Sequence, residues 1–176
     1  VSAPSAGCSA CVIDPADGAA TDVAGFGVRA FPTSHDVPCV GYRIAAPDGR
    51  VMSIATDLGA LTAPVHAALA GCDLVALESN YDPYMLHNGP YPYYLRARIE
   101  GPRGHLSNEE CSEKLLELVQ AGGEKVALCP LSQENNSPPL ALPTVFTTFR
   151  AGGAPPGPGL TRPAPRPPPV APPRGL

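Results

Sequence analysis

Residues 125–136 read KVALCPLSQENN, and the chain's architecture turns on what this stretch is. Val126, Ala127 and Leu128 give a short apolar run, and the polar residues after Leu131 form a loop. In α/β sheets the loops leaving the carboxyl ends of strands are where ligands and catalytic groups gather. At this exit stands Pro130, whose side chain has no donor, no acceptor and no metal-binding atom. The loop therefore has the position of a functional site but lacks the side chain such a site needs there.

The same strand-then-polar-loop pattern recurs towards the amino end. LVALE (74–78) is a continuous apolar run, as expected of a strand covered on both faces. VGYRIAA (40–46) and RVMSIAT (50–56) flank Pro47-Asp48-Gly49, a hairpin signal, and FGVRAF (26–31) alternates as a strand. Between these runs, residues 62–72 are spaced as a short helix ending near Gly71. Ser107-Asn108-Glu109-Glu110 is a capping box ahead of Leu115, Leu116, Leu118 and Val119, which predicts a helix over about 108–121. A last helix is expected from about 138 to 149. Strands alternating with helices make the fold class α/β.

The ends differ from this body. Residues 1–22 are irregular, residues 23–149 form the domain, and residues 150–176 hold ten prolines and five glycines within 151–176, a composition expected to be disordered or polyproline II. That tail reads either as a ligand for a polyproline-recognising partner or as GC-rich DNA translated out of frame, and we favour the second. The formal charge is −4; three arginines and no acid lie in the tail, leaving nine basic against 16 acidic residues, or −7, in residues 1–150. An acidic body does not coat duplex DNA, though an enzyme with a local basic lip remains compatible with it. No apolar run approaches the ~20 residues of a membrane span, and no charged leader or apolar h-region stands at the start, so the expected location is cytoplasmic. Cys39, Cys72, Cys111 and Cys129 sit singly and read as reduced thiols, while Cys8 and Cys11 make one C-x-x-C, half a zinc site at most.

Four apolar strands are followed by polar groups: His35-Asp36, Asp57, Glu78 with Asn80, and the Ser132–Asn136 loop. One such residue is ordinarily a cap or turn former; four exits on one side of a sheet outline a site. Imidazole and carboxylate together are ligands for borderline divalent metals, above all zinc. The chain has no phosphate-binding glycine loop and no G-x-S-x-G elbow. Arg96, Arg98 and Arg103, with Tyr91, Tyr93 and Tyr94, read either as phosphate and base contacts or as a solvated strip beside a Pro-Tyr-rich turn.

Taken in order, FPTSHDVPCVGYRI (31–44), SIATDLG (53–59), LVALESNYD (74–82), NGPYPYYL (88–95), GHLSNEE (104–110) and LSQENNSPPLALPTV (131–145) resemble the carboxyl half of a metallo-β-lactamase-fold hydrolase. Within that superfamily they are most similar to the WalJ/YycJ-type bacterial proteins, linked to nuclease activity, and more distantly to the tRNA 3′-processing endonucleases. The resemblance implies part of an αββα sandwich, roughly one sheet with flanking helices. It implies a metal-dependent phosphodiesterase acting on nucleic acid, with two divalent ions, zinc or manganese, in the intact family. His35 falls on a metal-ligand position and Asp57 on the aspartate that bridges two metals, ~3.5–4 Å apart in such hydrolases. His105 matches a histidine that serves the scissile phosphate as acid or charge stabiliser; Glu78 reads either as its orienting partner or as a strand-end residue facing solvent. His66 and His87 match no ligand position.

Two departures accompany these matches. The family's H-x-H-x-D-H signature does not occur in this sequence, and Pro130 stands where relatives carry a histidine. A catalytic zinc takes three protein ligands and an open position, whereas this pattern assigns only His35 and Asp57. The chain is therefore expected to be inactive by itself, with one apolar sheet face uncovered and prone to self-association. The alternative is a non-catalytic remnant that binds a partner through that face or the tail.

Overall fold

The computed structural model describes residue 13, residues 18–154 and residues 159–161. Its sheet has seven strands that lie side by side in chain order. Strands β1 (Thr21–Val23), β2 (Phe26–Pro32), β3 (Val40–Ala45) and β4 (Val51–Ala55) form an antiparallel meander. Strands β5 (Leu74–Leu77), β6 (Lys125–Leu128) and β7 (Gly159–Thr161) each run parallel to the strand before. The β3–β4 turn is the one expected at Asp48-Gly49: Gly49 takes φ 86°, a left-handed conformation that glycine adopts without cost. Parallel neighbours need crossovers. Helix α1 (Ala63–Leu69) connects β4 to β5, and α2 (Pro83–Asn88), α3 (Tyr93–Ile99) and α4 (Asn108–Gln120) connect β5 to β6; α5 (Pro138–Ala151) follows β6.

This topology aligns the strand exits. Both β2 and β4 are antiparallel to β3, so they point the same way, and β5 and β6 follow β4. The segments after Pro32, Ala55, Leu77 and Leu128 therefore all leave one edge of the sheet, as the polar residues behind each strand suggested.

Strand alternation sorts the side chains onto two unequal faces. Phe31, Ala55, Val75, Leu77, Val126 and Leu128 join one core with the apolar stripes of α1, α4 and α5. Gly41 is needed there, because a Cβ would sit 2.3 Å from the Phe31 ring. Arg43 and Ser53, cross-strand partners, both bond the Ala68 carbonyl and so fasten the end of α1 to this face. On the other face Tyr42, Ile44, Met52, Ile54 and Leu74 remain partly exposed, and a cavity of ≈ 240 Å³ opens among Phe26, Ile44, Met52 and Leu74. Strands of a parallel sheet are ordinarily covered on both faces; in the described residues the helices cover one.

The opening loop has a structural role. Asn135 and Asn136 are buried. The Asn136 amide donates to the Ser79 carbonyl at 2.8 Å and to Asn108 Oδ1 at 2.8 Å, and its oxygen accepts from the Asn108 amide and the Ser137 N–H. Ser79 Oγ closes the ring on Asn108 Oδ1 at 2.6 Å. The backbone adds Asp82 N–H to Asn135 O and Ser132 N–H to Asn80 O. Thus the polar run after Pro130 ties the β5 exit, the start of α4 and the start of α5 together.

Three expectations are revised or limited. The Pro-Tyr-rich turn is confined to residues 89–92 between two short helices, Tyr93 and Tyr94 open the second of them, and His87, expected in a loop, lies in the last turn of α2. Asp82 caps α2 on the Met85 N–H, with Pro83 behind it, but helices this short carry too little periodicity to read from sequence. Within the segment expected to be disordered, α5 runs to Ala151 and residues 159–161 pair with β6; the remainder past 154, and the Cys8/Cys11 pair, lie outside the described residues.

Asn136→Ala strips partners from buried amide, carbonyl and N–H groups at ~1–3 kcal/mol each, so a loss of about 3 kcal/mol is expected in urea unfolding. A change below about 1 kcal/mol would refute the role given to this network.

Candidate metal centre

His35, Asp57 and His105 come from three different exit loops, and each offers a ligand atom; these atoms all lie within 4.8 Å of one another. The two imidazole rings are tilted at 55° with centroids 5.0 Å apart. The segments that carry them are stitched at close range. Gly59 N–H donates to the Ser34 carbonyl at 2.8 Å, and Ser34 Oγ donates to the Pro102 carbonyl at 2.7 Å. A Cβ on Gly59 would fall 2.3 Å from the Gly104 nitrogen, and one on Gly104 2.1 Å from the Ile99 carbonyl. A larger residue at 59 drives the two loops apart, and one at 104 pushes its own segment off the end of α3. Asp57 has φ 53°, the left-handed region, which a non-glycine residue adopts at a cost of ~1–2 kcal/mol.

Glu78 organises the centre from below. It is fully buried at the end of β5, so it is not a solvent-facing strand end. Its carboxylate accepts from His105 Nδ1 at 2.8 Å, from the Leu58 N–H at 3.1 Å, from the Leu106 N–H at 3.4 Å and from the Asn80 amide at 3.2 Å. One side chain thus holds the loop after Asp57, the ring of His105 and the exit of its own strand.

Both histidines engage a protein acceptor through Nδ1. His35 Nδ1 lies 3.0 Å from the Gly104 carbonyl, which can only accept, so this nitrogen carries the proton. His105 Nδ1 faces a carboxylate and donates likewise. In each neutral ring the lone pair is left on Nε2, the tautomer expected of metal-binding histidines. His35 Nε2 also lies 3.2 Å from Asp36 Oδ1.

The electrostatics follow from these contacts. The hydrogen bond to Glu78 raises the His105 pKa above the ordinary histidine value; burial opposes this, and the charges of Glu78, Asp57 and Asp36 add to it. Asp36 is held below the usual carboxylate range chiefly by Arg98. Burial pushes the thiols of Cys39, Cys111 and Cys129 up, and the four described cysteines are free, in keeping with unreactive reduced thiols.

The arginines are largely engaged within the protein. Arg98 bonds Asp36 through two nitrogens, Arg103 donates to the carbonyls of His35 and Asp36, and Arg96 donates to the His87 carbonyl. Arg98 and Arg103 brace the His35 loop across more than sixty residues of sequence, which no local pattern signals. Tyr93 and Tyr94 are 78% and 74% exposed. A cavity of ≈ 230 Å³ lies between α3 and the centre, walled by Tyr91, Leu95, Ile99, His35 and His105. His66 is exposed on α1, and His87 pairs with Glu100 at 2.7 Å; neither joins the centre. Asn80 and the Ser132–Asn136 loop, counted with the strand exits, serve as scaffold.

The donor set suits a metal: two imidazole nitrogens and a carboxylate, with the histidines pre-oriented by acceptors behind them. It suits one ion; a pair of ions needs more ligands than these three residues provide.

In the metal-free protein, Glu78→Gln is expected to lower the His105 pKa towards the unperturbed ~6.5, read by NMR titration. Because the folded-state pKa is raised, the stabilisation from this pair is full below the unfolded-state value and is lost as pH rises through the folded value. An identical titration in the variant would show that Glu78 is not the cause.

No protein-family model matches the chain. It is 29% identical to exodeoxyribonuclease YycJ of Bacillus anthracis over 135 residues, covering 75% of this chain and 51% of that protein. It is 31% identical to exodeoxyribonuclease WalJ of Streptococcus pneumoniae over 118 residues, covering 67% and 44%. The chain thus spans about half the length of the curated relatives it matches. Among solved structures, the metallo-β-lactamase fold protein YhfI from Bacillus subtilis superimposes with TM-score 0.59 at 15% identity, over 85% of this chain and 50% of that one. Zn²⁺-bound PqqB from Methylobacterium extorquens gives 0.50 at 16% identity, over 80% and 45%. With the exit-loop centre and the sheet topology, these likenesses make the chain a protein of metallo-β-lactamase fold whose sequence relatives are the WalJ/YycJ-type exodeoxyribonucleases.

Proposed function

We propose that this chain carries part of a metal-dependent phosphodiesterase site that acts on nucleic acid, and that its own residues do not sustain turnover. The observation that carries the reading is the convergence of His35, Asp57 and His105 at one sheet edge, in a chain whose relatives are named exodeoxyribonucleases. A bound divalent ion, zinc or manganese, would supply Lewis acidity and an activated water there. Around it, His35 and Asp57 are the ligands, and Glu78 fixes the ring of His105 as a member of the catalytic group. Two jobs are open to the second nitrogen of His105, metal ligand or partner of a phosphate oxygen, and both need that orientation. The aromatic wall of Tyr91 and the exposed Tyr93 and Tyr94 offer stacking surfaces for unpaired bases. The lack of a ligand side chain at Pro130 supports the inactivity.

The test uses a single-stranded DNA oligonucleotide with added Zn²⁺ or Mn²⁺. The expected result is metal-dependent binding, lost in Asp57→Ala, without cleavage. Cleavage that disappears in Asp57→Ala would overturn the inactivity and keep the nuclease; no metal-dependent binding would sink the nuclease reading.

A second reading, a non-catalytic partner-binding role, is favoured by the uncovered sheet face bearing Ile44, Met52, Ile54 and Leu74. Through this face the chain is expected to self-associate, with weight-average mass rising with concentration in sedimentation equilibrium and Ile44→Glu reducing the rise. A monodisperse monomer across the range would contradict it.

A further inference from the structure

Three ligands are the ordinary minimum for an open zinc site, and the family resemblance assigns His35 and Asp57 while position 130 is proline. We propose that His105 serves in this chain as the third metal ligand, through Nε2, and closes a one-metal His₂-carboxylate centre. This rests on the metal-site reading above.

Four observations support the assignment. The ligand atoms of His35, Asp57 and His105 lie within 4.8 Å of one another, and ligand bonds of ~2.0–2.2 Å permit at most ~4.4 Å between two donors on one ion. Closing that difference asks for less than an ångström of side-chain movement. His105 donates its Nδ1 proton to a fully buried carboxylate, the arrangement that fixes tautomer and ring plane in carboxylate–histidine–metal sites. His35 has the equivalent arrangement with the Gly104 carbonyl, so the two rings are prepared alike, and the same Gly104–His105 segment supports one and supplies the other. Finally, Asp57 is held in a left-handed conformation directly before Leu58, whose N–H is bound by the same Glu78 carboxylate. The residue that orients His105 therefore also sets the position of the aspartate, as a shared metal centre requires and a separate phosphate contact does not.

The assignment predicts one Zn²⁺ per chain by native mass spectrometry of the full chain titrated with ZnSO₄. In calorimetric titration with the same salt, His105→Asn is expected to weaken affinity by more than about 100-fold. Glu78→Gln, which keeps the ring but changes the group behind it, is expected to weaken it by about 10–100-fold. Nitrogen-15 NMR reads the contact directly without a variant: the Nε2 resonances of both His35 and His105 shift on zinc addition while each Nδ1 stays protonated. Unchanged affinity in His105→Asn, or an unmoved His105 Nε2 resonance in a zinc-loaded chain, overturns the ligand role, as does failure of the chain to bind zinc. Because zinc binding is measured without DNA, loss of oligonucleotide binding alone would defeat the nuclease reading and leave this centre standing.

Discussion

The buried carboxylate of Glu78 is the constraint on which the rest of the centre depends. A carboxylate taken out of water must find hydrogen-bond donors or destabilise the fold. Here the donors come from His105, Leu58, Leu106 and Asn80. The need to satisfy one charge thus pulls the loop after β4 and the segment before α4 onto the end of β5. His35, Asp57, Glu78 and His105, each 21 or more positions from the next in sequence, are brought together as a result. The glycines at 59 and 104 permit the approach, since a Cβ at either would meet backbone.

The sheet sets the stage on which this happens. Reversals at β2–β3 and β3–β4, followed by parallel crossovers, send four polar exits to one edge. Along that edge chemistry and scaffold are interleaved. Asn108, Ser79 and Asn136 form a closed buried network that fixes loop ends, so a polar run at a strand exit is as readily mortar as site. Arg98 and Arg103, candidates for substrate contact by composition, spend their donors on the His35 loop. Charge available to a nucleic acid is correspondingly less than the sequence count suggests, and the tyrosines of α3 are the more available surface.

The unequal faces of the sheet connect stability to biology. One face is sealed by three helices, and the other shows Tyr42, Ile44, Met52, Ile54 and Leu74 to solvent in part. Relatives roughly twice as long share the matched region, and a parallel sheet ordinarily buries both faces. Whatever covers that face changes the stability of the strands whose ends carry His35 and Asp57, so the centre and the open face are not independent.

Local pattern was enough for β2 to β6, the Asp48-Gly49 hairpin and the capped α4, because period, turn chemistry and capping act within a few residues; β1 and β7, three residues each, fall in stretches read as irregular and disordered. The family resemblance of the motif order pointed to His35, Asp57, Glu78 and His105, which the structure brings to one place. Local pattern did not decide which polar exits do chemistry: Asn136 and Asp57 look alike as strand-end residues, and only their long-range partners separate them. The short helices around His87, the internal use of the arginines, the full burial of Glu78 and the placing of His105 beside His35 and Asp57 were decided by tertiary structure. Each depends on donors and acceptors far apart in sequence that meet only when the loops close around one buried charge.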